Sequence, residues 1–399
     1  MPSSWLRYPF LYLLVTALAG VLLRGMALLP TVPDLYERLL HAHSHIALLG
    51  WGYSALYLLY VHYFLPDGQQ RSRFLTINWL LTQVTTVLMF VAFTIQGYGF
   101  YSILFSTIHI FLSYAFAYWM WKRMGRRGSS PLSVRVAKAG LFYMVLSSVG
   151  PWTLAVLSAM DLTASPWYHG ALYFYLHLQY NGWFTLGLLA MVYDKLEHHM
   201  NSAALRWGRR QYRLYVGSLL PSFLLSLLGM NLSAGWFSVA VLSGAVQFLS
   251  VGIFLLLWLQ YRRQAADNGW FTFALSALAA KMVLELVSAF PQLRSLAFDN
   301  RSVVIGYLHL VLLGFVSCLL LALLHQLNRG KRMTQAMPPG SFIFLAGLTG
   351  NEVLLFLEGW INWTAQSTVP YSSVLLLAMS VCMLLGIVTM TLAAFRRRP

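Results

Sequence analysis

Three short stretches of this chain share one pattern at one spacing. His45, Gly50 and Trp51 recur as His177, Gly182 and Trp183, and again as His309, Gly314 and Phe315. Both intervals, 177 − 45 and 309 − 177, are 132 residues, close to one third of the 399-residue chain. Recurrence at a fixed period is the signature of a repeat architecture. The chain therefore reads as three pseudo-repeats of about 1–132, 133–264 and 265–399 within a single transmembrane domain, each with a histidine in an apolar run.

Those runs set the fold class. With 59% hydrophobic and only 10% charged residues, the chain belongs in a membrane. A spanning helix needs about 20 apolar residues. Twelve segments qualify, at about 8–29, 39–64, 74–96, 101–121, 135–158, 167–193, 213–230, 236–260, 270–290, 302–326, 341–360 and 371–395. They are too long and continuous for barrel strands, so helix is the expected form. The first is too long for a signal peptide and lacks a small-residue cleavage site, so it reads as a span. The expected architecture is an all-α polytopic membrane protein of twelve transmembrane helices, four per repeat, with the repeats arranged about an axis normal to the membrane.

A net charge of +16 invites a nucleic-acid reading, but its distribution argues against one. With the N-terminus inside, all but five of the 27 Lys and Arg fall on cytoplasmic connections and helix ends. Arg24, Arg38, Arg294 and Arg301 stand at the outer ends, and Lys281 lies within a helix. This is the positive-inside pattern, with both termini cytoplasmic. Cys318 and Cys382 both fall within helices, so neither a disulfide framework nor a thiolate metal cluster is expected.

Placed by depth on alternating helices, seven histidines share the outer half of the membrane: His41, His43, His45, His109, His169, His177 and His309. His62, His198, His199 and His325 fall at the inner side. An imidazole in hydrocarbon is costly, and a repeat needs only apolar residues to pack. A single such imidazole is accounted for by a hydrogen bond to a neighbouring helix, whereas seven at similar depth, three of them in register, favour ligation, and imidazole suits heme iron and copper. His41 and His45, four apart, project from one helix face, while His43 points about 200° away, so one helix can serve two centres. The three repeat glycines would admit either a flat macrocycle or a neighbouring helix. Lys281 and Glu285, also four apart, are spaced for an ion pair. Glu352 and Glu358 are further carboxyl groups in the membrane.

The run HAHSHIALLGWGYSALYLLYVHYFLP, with ligand-type histidines on the second, sixth and tenth segments, resembles the catalytic subunit of the heme-copper oxidase superfamily. It is similar to the H-x-H helix of C-type oxidases and to the HAH-containing helix of NnrS-type heme and copper membrane proteins of nitric oxide metabolism. The resemblance implies b-type heme held by His41, His43, His45, His177 and His309, with His109 and His169 as copper or further heme ligands. It implies redox or binding chemistry on O₂ or NO, electrons from a donor protein or quinol, and residence in a bacterial inner membrane. Outer-end arginines become candidates for heme propionates. The chain departs from the oxidases in carrying H-x-H on its second helix rather than its tenth. It has no adjacent histidine pair at the required depth and no C-x-x-C-H attachment motif. His169 and Tyr173 match the spacing of the oxidase His–Tyr crosslink. The competing class is a secondary transporter using the His, Glu and Lys residues near the midplane.

Overall fold

A computed structural model describes residues 3–29, 33–124, 131–230, 232–263, 269–329 and 340–396. Arg126, Arg127, Lys331, Arg332, Arg397 and Arg398, which the charge pattern invokes, lie outside the described residues. Twelve long helices occur among the described residues, and no strand does. They are α1 (Arg7–Met26), α2 (33–64), α3 (Arg73–Gln96), α4 (Phe100–Arg123), α5 (Leu132–Ala159), α6 (166–196), α7 (Ser202–Met230), α8 (Ala234–Tyr261), α9 (Trp270–Val287), α10 (301–329), α11 (Ser341–Ala365) and α12 (Ser372–Arg396).

Ten of these are long and apolar enough to cross a membrane. The protein is thus a multi-pass membrane protein suited to a lipid bilayer. The two outside that set are α2 and α6, whose length is ample but whose apolar runs are broken by histidines and tyrosines and, in α6, by the carboxamides of Gln179 and Asn181.

The helix that departs most from the sequence expectation is α7. Its apolar run suggests a start near residue 213, yet helix begins at Ser202, with Asn201 accepting a hydrogen bond from the Ala204 N–H at 2.8 Å. The extra turns are amphipathic, which a search for uniform apolarity misses.

The chain divides into two compact units, Met1–Met120 with Leu320–Pro399, and Trp121–Leu319. In the first, α1 packs on both α2 and α12, α11 on α12, and α2 on α3. Its core is aromatic. Trp5 stacks on Trp79 at 5.3 Å, and Tyr57 on Phe116 at 3.9 Å. In the second, α5 packs on α6, α7 on α8, and α9 on the middle of α10. Glu197, just past α6, accepts the Ser133 N–H at 2.7 Å, so a side chain at the end of α6 satisfies a donor in the first turn of α5, the helix it packs on.

The 132-residue spacing recurs in the backbone. Directly after each repeat histidine the helix widens into a π-helical segment: Ile46–Gly52 in α2, Leu178–Phe184 in α6 and Leu310–Ser317 in α10. Their starts differ by 132, as the histidines do. The five-residue bonds at their ends run from the N–H of Tyr53 to the carbonyl of Leu48, Thr185 to Tyr180, and Cys318 to Leu313. Such segments are rare and leave carbonyls without their usual partners. Side chains take them up. Thr185 Oγ1 donates to the Tyr180 carbonyl and Ser317 Oγ to the Leu312 carbonyl, each at 2.7 Å, and Tyr215 OH donates to the Asn181 carbonyl at 3.0 Å.

The glycine within each segment meets the first helix of its own repeat. A methyl group on Gly50 would fall 3.1 Å from Tyr12 Cγ of α1, on Gly182 only 2.5 Å from Tyr143 Cβ of α5, and on Gly314 3.2 Å from Ala277 Cβ of α9. The close neighbour is a helix, which is the small-residue packing expected between membrane helices. The position two before each histidine repeats as well. His43 faces Gly20 of α1, Tyr175 faces Gly150 of α5, and Tyr307 reaches Glu285 of α9.

Gly182→Ala should therefore force α5 and α6 apart, with a loss of about 1–3 kcal/mol. Gly170→Ala, on the same helix but with open space beside it, should leave the unfolding midpoint unchanged. Thermal unfolding of both variants in the same detergent checks this.

Candidate functional site

The residues singled out by the sequence fall into two groups, one in each unit. In the first unit they are imidazoles on α2 and α4. The His43 ring is bonded through Nδ1 to the Thr16 carbonyl at 3.0 Å, and the His45 ring through Nδ1 to the His41 carbonyl at 2.8 Å. His109 is hydrogen-bonded to the backbone of Leu49, inside the π segment of α2. Its Nε2 is buried and has no partner among the described residues. A backbone carbonyl accepts, so each of these bonded ring nitrogens carries the proton. The other nitrogen of each ring is then a bare lone pair. No hydrogen bond to Nε2 of His43 or His45 occurs among the described residues.

Aromatic rings lie beside His41, His45 and His109. His45 stacks on Phe93 at 4.0 Å, His41 meets Tyr98 edge-on at 4.6 Å, and Tyr53 meets His109 at 4.8 Å. Arg38 does not stand free for a propionate. Its guanidinium donates to the Ile95 carbonyl at 2.7 Å, closing the end of α3, and to the Asp34 carbonyl at 3.1 Å. Glu352 on α11 accepts from the side chain of Asn351 at 3.1 Å.

The second group is a buried chain of polar contacts around His177. Lys281, 1% exposed on α9, pairs with Glu285 at 2.7 Å, as the four-residue spacing predicts, and donates to Asn181 Oδ1 at 2.5 Å. Glu285 Oε1 also accepts from Tyr307 OH at 2.6 Å, while its Oε2 is buried without a partner among the described residues. Asn181 Nδ2 lies 3.2 Å from His177 Nδ1, and His177 Nε2 lies 2.9 Å from the Leu219 carbonyl.

These contacts fix one another. A lysine can only donate, so Lys281 selects the oxygen of the Asn181 carboxamide. The amide nitrogen must then face His177 and donate to Nδ1. The ring proton consequently sits on Nε2, where the Leu219 carbonyl accepts it. Both nitrogens of His177 are thus held by the protein.

His169 and His309 are the remaining predicted residues. His169 is exposed in the first turns of α6, bonded to the Ser165 carbonyl at 3.2 Å. His309 ends the α-helical start of α10, immediately before its π segment. Among the described residues, no three His, Cys, Asp or Glu side chains converge to hold a metal ion. Asn181 and Tyr215 carry the second group but were not singled out by the sequence. The available signal was a carboxamide in the middle of an apolar run. No family model matches this chain, and no curated protein sequence matches it.

Removing Lys281 alone should leave Glu285 charged and unpaired. Lys281→Met should then cost about 3–5 kcal/mol, and Lys281→Met with Glu285→Leu should recover most of that loss. A double-mutant cycle from unfolding curves in detergent reads both.

Proposed function

We propose that this protein is a heme-binding integral membrane protein of heme-copper oxidase/NnrS-like type, acting on O₂ or NO. The observation that supports it best is the imidazole group of the first unit. His45 and His109 each spend one nitrogen on a backbone carbonyl beside the rings of Phe93, Tyr98 and Tyr53, and the second nitrogen of His109 is buried without a partner among the described residues, while His43 bonds the Thr16 carbonyl on the α1 side, against Gly20. A carbonyl behind the ring is the usual support of a metal-ligating histidine. The unsatisfied buried nitrogen of His109 is otherwise a cost with no return. These residues fit the group, with His41 on the same helix as a fourth candidate.

Heme iron bound there would supply ligand binding and one-electron chemistry. The protein's part is to fix the imidazole tautomers and to exclude water with Phe93, Tyr98 and Tyr53. In the same reading all twelve helices span, in three repeats about an axis normal to the membrane of a bacterial cell, with basic ends inside and electrons arriving from a donor protein or quinol. His177 and His309 are the repeat equivalents of His45. Ligation by His177 requires that it first give up Leu219 or Asn181. The same reading includes copper as a second metal, with His109 and His169 as its candidate ligands.

A secondary transporter is the second reading. It is favoured by the Lys281–Glu285 pair and the open Oε2 beside it, since intramembrane ionisable residues mark ion paths.

The deciding measurement is the absorbance spectrum of protein purified from heme-replete cells. We expect a Soret band with reducible α/β bands. The reduced-minus-oxidised signal should be lost or shifted in His43→Ala, His45→Ala and His109→Ala, and unchanged in His62→Ala and His198→Ala. A folded but colourless protein that moves ions in proteoliposomes would replace the first reading with the second.

A further inference from the structure

The early start of α7 places four arginines on one helix face. Arg206, Arg209, Arg210 and Arg213 are all exposed, and at 100° per residue they fall within an arc of about 100°. The buried residues of the same turns, Ala204, Gly208, Gln211 and Tyr215, lie on the opposite side. The arginine face therefore points away from the packed helices of its unit. Trp207 flanks the arc and is exposed, with the Arg210 guanidinium 4.9 Å from its ring centroid. Between Ser202 and Met230 there is no Asp or Glu to neutralise the cluster.

Length sets the depth of this face. The apolar part of α7, residues 214–230, whose last ten residues Pro221–Met230 are 3₁₀-helical, rises about 30 Å, matching the hydrocarbon thickness. Residues 202–213 add about 18 Å, so the arginines stand in the headgroup layer and just beyond it. A guanidinium offers a planar fork that matches phosphate oxygens, and tryptophan is the usual anchor at that level.

We propose that this face of α7 is a binding site for anionic phospholipid headgroups. The occupant is the phosphodiester of a negatively charged bilayer lipid, gripped by paired arginines and backed by the Trp207 ring. Charge complementarity and depth favour a lipid over a soluble anion, because the site opens sideways into the headgroup layer. The proposal is independent of heme.

The test uses the full chain in neutral detergent. Phosphatidylglycerol, phosphatidylcholine and soluble glycerol 3-phosphate are added in separate arms. Retained lipid is counted by native mass spectrometry, and the unfolding midpoint is recorded. We expect phosphatidylglycerol to be retained and to raise the midpoint, and the other two to do neither. Arg206→Gln/Arg209→Gln/Arg210→Gln/Arg213→Gln should weaken retention at least about a hundredfold at low salt. Arg262→Gln/Arg263→Gln, a basic pair at the end of α8, should retain it as the natural chain does. Should the fourfold variant fail to fold, Arg209→Gln/Arg210→Gln is read on the same scale. Equal effects of the two lipids, full stabilisation by glycerol 3-phosphate, or equal loss in the α8 control would each overturn the proposal.

Discussion

Inside a bilayer no water is present to bond a stray backbone carbonyl, and each one left open costs several kcal/mol. This chain opens carbonyls at three places, one in each repeat, by widening α2, α6 and α10 directly after a histidine. The deviation survives because the sequence supplies donors where they are needed: the imidazole of His109, the phenol of Tyr215 and the hydroxyls of Thr185 and Ser317. The buried polar side chains and the irregular backbone are thus one system. A histidine or tyrosine from a neighbouring helix is held in place by the carbonyl that the widened turn releases.

The same constraint divides the histidines by what they bond. Where a ring leans on a single carbonyl, as at His43, His45 and His109, one nitrogen stays open to a ligand. Where a carboxamide occupies the second nitrogen, as at His177, the ring becomes part of a closed polar chain. A lysine four residues from a glutamate governs that closure from another helix, through the orientation of one amide. Identical residues at identical repeat positions therefore differ in character because of neighbours that the repeat does not share.

Much of this was legible beforehand. Apolar runs located the helices, and the 132-residue period marked the three places where the backbone departs from α-helix. The spacing of Lys281 and Glu285 gave their pairing. Less legible was anything set by a partner on another helix. The glycines could have faced a macrocycle or a helix, and only the approach of Tyr12, Tyr143 and Ala277 distinguishes these. Arg38 looked available but caps α3. The first turns of α7 escaped notice because amphipathic helix does not register as an apolar run. Asn181 is a polar residue whose importance depends on a lysine 100 residues away.

A bond that closes on the fifth residue rather than the fourth takes one extra residue into the turn. Beyond each widened stretch the helix therefore resumes one step out of phase, and side chains eight apart come to share a face that seven would otherwise define. The residue eight after the histidine is Tyr53 in α2, Thr185 in α6 and Ser317 in α10, a hydroxyl every time. The phase slip thus aligns an imidazole with an alcohol along each of the three helices. A polar file would run along the helix from every histidine position, invisible to any reading frame that assumes an unbroken helix.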